Sequence, residues 1–141
     1  VRLTPGFSSR SAYFLETGPR NGEHSERLGL FIKISSNRRT PWKFSFTDMH
    51  QFEISELKKK CDEVFMLFAA GDDGVACINF DRLKQVLDEE YDPVEWIDIR
   101  RRPRQSYRIS GSNGKAERPI ARNAFPTEII DYLTPKVSDL A

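Results

Sequence analysis

The sequence predicts a single α+β domain with a central, mostly antiparallel sheet, two main helices and a short C-terminal helix. Three observations carry this expectation. Stretches such as RLGLFIKIS (27–35) and WKFSF (42–46) alternate apolar and polar residues with the period of half-buried strands. Between them and the next apolar run, residues from Phe52 to Phe65 change to helical spacing. Ten Phe, four Tyr and two Trp in 141 residues supply the bulk of one hydrophobic core. The expected organisation is a flexible N-terminal arm over 1–10, the α+β domain over 11–133 and a C-terminal tail over 134–141.

Taken in order, SAYFLET (11–17) reads as a strand and GPRNGEHSE as a long polar turn. In RLGLFIKIS, Leu28, Leu30, Ile32 and Ile34 form one face, which puts Phe31 and Lys33 on the other. WKFSF alternates in the same way and is expected to pair with it as a hairpin across SSNRRTP. Asp48, with Gln51 three positions later, has the spacing of a helix N-cap. The helix that follows turns Ile54, Leu57 and Cys61 inward and Glu53, Glu56 and Lys58–Lys60 to water.

VFMLFAA (64–70), GDDG (71–74) and VACINF (75–80) then read as a central hairpin, the glycines and aspartates being turn residues and not calcium ligands. Asn79 is placed to cap a short helix that ends before Asp92-Pro93. VEWIDIR (94–100) and QSYRIS (105–110) alternate as strands, GSNG is a turn, and 125–133 form the terminal helix.

Several classes of function find no motif here. The chain has no P-loop, no GxGxxG, no CxxC and no long apolar run, so nucleotide, zinc and membrane readings lack their signatures. Cys61 and Cys77 read as buried free thiols and VRLTPGFSSR lacks a signal-peptide core, which together predict a cytoplasmic protein. His24 and His50 have no Ser, Cys or acid at triad spacing.

The net charge of +1 conceals two blocks of opposite sign. Residues 88–98 hold six acids and no base, whereas 100–122 hold seven Arg and one Lys against the single acid Glu117. Arg100, Arg101, Arg102, Arg104 and Arg108 offer guanidinium forks for phosphates around the aromatic plane of Tyr107. Arg38, Arg39 and Lys43 extend this set from the basic turn, and Lys33 precedes them. The competing reading is that these arginines neutralise the acidic block beside them.

From residue 27 to 89 the order strand, turn, strand, helix DMHQFEISELKKKCDE, strand, strand, helix resembles the second half of the PD-(D/E)xK nuclease-like core. In that family a strand ending in acid-x-Lys precedes a helix and a buried strand, and carboxylates hold Mg²⁺ while the lysine orients or activates water. The resemblance matches Lys33 to that lysine, with Phe31 where the acid would stand and Glu16 and Glu26 as the carboxylates near enough in sequence to substitute. It implies a degenerate member that does not cleave. Without the resemblance, Lys33 reads as a strand lysine whose stem covers a neighbouring aromatic.

The expected function is therefore non-catalytic nucleic-acid binding through a basic aromatic surface, with no cofactor, no metal and no membrane partner. A protein-interaction module or homodimer is the alternative, and a Mg²⁺-dependent nuclease stands third.

Overall fold

The computed structural model describes residues 2–5, 11–17, 26–88 and 95–138. In chain order these form β1 (Arg2–Pro5), β2 (Ala12–Thr17), β3 (Glu26–Ile34), β4 (Trp42–Phe46), α1 (Asp48–Lys60) and β5 (Glu63–Ala70). There follow β6 (Gly74–Asn79), α2 (Phe80–Val86), β7 (Glu95–Arg100), β8 (Arg108–Gly111), β9 (Gly114–Lys115) and α3 (Ala124–Ser138). The α+β class is the predicted one, and the strands divide into two sheets, ordered β1-β2-β3-β5-β6 and β4-β7-β8-β9. Every strand pair is antiparallel except β3 with β5.

The expected hairpin between β3 and β4 does not form. β3 lies between β2 and β5, while β4 pairs with β7 in the second sheet. Burial explains the choice: Trp42, Phe44 and Phe46 are buried, and the two phenylalanines meet rings of the first sheet. Phe44 lies 5.0 Å from Phe68, and Phe46 lies 6.4 Å from Phe31. Edge pairing of β4 with β3 would have left these three aromatics without a second layer, each forfeiting roughly 1.5–3 kcal/mol of burial. Phe31 is accordingly fully buried, so the face of β3 that carries Phe31 and Lys33 is packed against β4, with Lys33 half-buried at its end.

The opposite face of β3 and β5 carries Leu30 and Phe65, which are register partners. Tyr132 of α3 meets Phe65 edge-on at 6.2 Å there. α3 begins at Ala124 and runs to Ser138, longer than the 125–133 expected, with Phe125 in extended conformation between two helical pieces. Residues 2–5, read as part of an arm, pair with β2 and continue the first sheet by one strand.

Helix α1 starts one residue earlier than its sequence signal. Thr47 is the N-cap: its Oγ1 accepts the His50 N–H at 3.2 Å, and the Thr47 N–H donates to His50 Nδ1 at 3.2 Å. A reciprocal box of this kind normally uses Glu or Gln at the third position, and here imidazole nitrogen takes that part. The helix phase set by Ile54 and Leu57 buries Glu53, expected in water, and leaves Phe52 half exposed. Asn79 caps α2 as predicted, its Oδ1 accepting the Arg82 N–H at 2.9 Å. No described helix is long and apolar enough to cross a membrane.

Candidate functional site

The second sheet has one face on the core and one face on solvent. Ile97, Ile99 and Ile109 point inward with the β4 aromatics. The alternate residues are brought together on the outside by register, Lys43 opposite Asp98, Asp98 opposite Ser110 and Ser110 opposite Lys115. One row along the strands Arg100 faces Arg108, and one row the other way Ser45 faces Trp96. This face floors a groove of about 800 Å³ whose walls include Lys43, Trp96, Arg100, Arg108, Lys115 and Arg118.

Two acids, Asp98 and Glu117, also line the groove, so its five basic side chains leave it positively charged. Asp98 is buried on the floor, and Arg100 Nε donates to its Oδ1 at 2.8 Å. The Arg100 side chain nevertheless stays 65 % exposed, with one guanidinium nitrogen engaged. Lys43, Arg108, Lys115 and Arg118 make no ion pair among the described residues. A second cleft of about 560 Å³, bounded by Thr40, Pro41, Arg101 and Arg102, shares Arg100 and Arg108 with the first and lengthens it beyond the end of β7.

The loop between β7 and β8 is fastened from below. Arg101 Nε donates to Asp73 Oδ2 at 2.8 Å, a second guanidinium nitrogen reaches Asp73 Oδ1, and the Tyr107 hydroxyl donates to Asp73 Oδ2 at 2.7 Å. Arg122 donates to the Asp73 carbonyl at 3.0 Å. The Arg101 guanidinium holds the Asp73 carboxyl below the usual carboxylate range, burial opposes it, and the Tyr107 hydroxyl adds to the lowering. Burial pushes the Tyr107 phenol up to about 12, with the bond to Asp73 contributing. The turn reading of GDDG holds, and its two acids are ion-pair partners as well: Asp72 takes Arg38 at 2.9 Å.

The predicted basic residues thus separate. Lys43, Arg100, Arg102 and Arg108 lie along the joined grooves, with Arg101 beneath them committed to Asp73. Arg104 is exposed at the loop tip with φ 64, in the left-handed region. Arg38 and Arg39 line a different recess with Asn37 and Asp72. Tyr107, expected to offer a stacking plane, is fully buried against Trp42, because its hydroxyl is needed at Asp73. The expected neutralisation of the acidic block is seen at Arg100 with Asp98, while residues 89–94 of that block, like His24, lie outside the described residues.

Lys33 stands apart from all of these. Its ammonium lies 5.3 Å from the Phe46 ring centroid and 3.4 Å from His50 Nδ1, and burial lowers its pKa from the ordinary value. The chain positions offered for the missing acid lie far from it along the sheet. Glu26 begins β3 and Glu16 pairs with Arg27 beside it, whereas Lys33 lies seven residues along the strand, roughly 23 Å away at strand rise. The described residues contain no group of three His, Cys, Asp or Glu side chains able to hold a metal ion. Neither cysteine is an activated nucleophile, since burial pushes the Cys61 thiol up to about 11 and the Cys77 thiol up to about 12.

Sequence reasoning passed over Trp96, Ser110, Lys115 and Arg118. Their signal was present in the strand alternation, where Trp96, Asp98 and Arg100 share a phase opposite to Ile97 and Ile99. What could not be read was that β4, β8 and β9 would set Lys43, Arg108 and Lys115 beside that phase. Fold and groove together define an α+β domain that presents a positively charged sheet face to solvent. No protein-family model, curated protein or solved structure matches the chain.

Proposed function

We propose that this protein is a non-catalytic nucleic-acid-binding module whose contact surface is the outer face of the β4-β7-β8-β9 sheet. The observation that carries this reading is the convergence of Lys43, Arg100, Arg108, Lys115 and Arg118 on one groove beside a partly exposed tryptophan. Lys43, Arg108, Lys115 and Arg118 make no ion pair among the described residues, and Arg100 has one guanidinium nitrogen on Asp98, so these groups can take phosphate oxygens, the chief source of affinity for nucleic acid. The free thiols of Cys61 and Cys77 are in keeping with a reducing, cytoplasmic setting.

Fluorescence polarisation with labelled oligonucleotides across 50–200 mM salt (about the range in which phosphate contacts are lost) tests it. The expected result is affinity that falls steeply with salt and is largely lost in a Lys43→Glu/Lys115→Glu double variant. Absence of binding at low salt, or binding indifferent to that charge reversal, removes the reading.

A second reading, as a protein-interaction module or homodimer, rests on Met49 and Phe52. They sit three residues apart on α1 and are 60 % and 49 % exposed, an apolar pair on one helix face. Light scattering separates the two: a stable dimer that ignores oligonucleotides supports this second reading alone.

A further inference from the structure

Resting on the nucleic-acid reading above, we infer that the groove takes a single strand, with one unpaired base stacked on the indole of Trp96 and the backbone running along β7 toward Arg100 and Arg108. The chain has two tryptophans, of which Trp42 is buried at 2 % exposure and Trp96 is 44 % exposed within the groove. Trp96 is also anchored, which a stacking platform requires. Its backbone N–H donates to Ser112 Oγ at 2.7 Å, and its backbone carbonyl accepts the Ser112 N–H at 3.1 Å. Glycine at 111 lets the Trp96 carbonyl come closer still, since a Cβ there would lie 3.0 Å from that oxygen and 2.5 Å from the Val86 carbonyl oxygen.

The spacing suits an extended strand. Trp96, Asp98 and Arg100 are alternate residues of β7, so the Trp96 and Arg100 Cα atoms stand roughly 13 Å apart with their side chains on one face. Lys43 flanks the interval from the neighbouring β4, and Lys115 from β9, one strand beyond β8. At the centre, Asp98 and Ser110 put a carboxylate and a hydroxyl on the floor, where phosphate is disfavoured and the amino or imino edge of a base finds acceptors. Charge is thus arranged at the rim and hydrogen-bonding groups at the floor. A duplex, whose bases are stacked inside, cannot place one on Trp96, and a polyanion without bases gains nothing from it.

Intrinsic fluorescence tests this on the full chain, because the buried Trp42 supplies a constant background. Octamers of single-stranded DNA and RNA, a DNA duplex and inorganic polyphosphate are titrated in turn, the two octamers distinguishing the source of the strand. Single strands of at least one type are expected to quench the emission and to bind about tenfold or more weakly to Trp96→Ala, the range of one lost base stack. The salt slope should be unchanged in that variant, and Trp96→Phe should regain most of the affinity. Equal binding of octamers by Trp96→Ala and the parent chain overturns the inference. So does duplex or polyphosphate binding as tight as that of the single strands. If the octamers still lose affinity in Lys43→Glu/Lys115→Glu, only the stacking inference falls; if nothing binds at low salt, both readings fall.

Discussion

Arg101 closes a two-pronged ion pair on Asp73 across the gap between the two sheets, and both side chains are about 15 % exposed. The pair joins the β5–β6 turn to the first residue after β7, so the groove-lining Arg100 and Arg102 are held by a contact made on their inner side. The basic loop is therefore built on a carboxylate that belongs to the opposite sheet. Arg38 with Asp72 repeats the pattern at the surface, but with side chains 83 % and 68 % exposed it contributes little.

The Asp73 carboxyl has a depressed folded-state pKa, held down first by the Arg101 hydrogen bond and opposed by burial. A depressed carboxylate contributes stability that is complete above its unfolded value of about 3.9 and is lost as pH falls through the folded value. Asp73→Asn should lower the thermal midpoint at pH 7, and its deficit against the parent should shrink as both are taken below about pH 4. A deficit that is independent of pH would show that the carboxylate charge is not what holds the loop.

Tyr107→Phe isolates the neutral part of the same cluster. The ring and its edge-on contact with Trp42 at 6.1 Å are kept, and the 2.7 Å bond to Asp73 is lost. Urea unfolding should show a loss of about 1–2 kcal/mol with an unchanged m value. Oligonucleotide affinity should stay near that of the parent, because Tyr107 is buried and offers no plane to a base.

Much of this architecture was legible because it rests on local signals. GDDG marked its hairpin, Asn79 its helix cap, and the alternation of WKFSF and VEWIDIR their strands. The partner of β4 was not legible. Period-2 alternation says which side of a strand is apolar but not whether that side packs on a sheet beneath it, and Trp42, Phe44 and Phe46 were numerous enough to found a second layer. The site followed the same division. Arginine clustering pointed to 100–108, whereas the loss of Tyr107 and Arg101 to Asp73, and the seating of Trp96 on Ser112, depend on contacts 16 to 34 residues apart in sequence.

His50 makes the start of α1 sensitive to acid. Burial lowers its pKa, the Lys33 ammonium lowers it further, and Glu53 opposes them. Its Nδ1 accepts the Thr47 N–H, so protonation would replace an acceptor with a donor in the cap. A base with a depressed folded-state pKa contributes stability that is complete above about 6.5 and is lost as pH falls toward the folded value. Between pH 7.5 and 5 (about one unit or more on each side of the free imidazole value), the parent should lose thermal stability more steeply than His50→Gln, whose amide oxygen can serve the cap at every pH. Equal slopes would place the titration elsewhere.

Glycine positions offer a way to separate loss of fold from loss of site. At Gly71, φ is +51 and a Cβ would press on the Asn37 and Arg38 carbonyls; at Gly111 it would press on those of Val86 and Trp96. All four obstacles are backbone, so Gly71→Ala and Gly111→Ala should each cost about 1–3 kcal/mol in urea unfolding. Only the second displaces the carbonyl of Trp96 and the Ser112 bonds that seat it. At a temperature where both variants are folded, Gly111→Ala should bind single-stranded octamers more weakly than Gly71→Ala by severalfold. Equal affinities would mean that the position of Trp96 is immaterial to the groove.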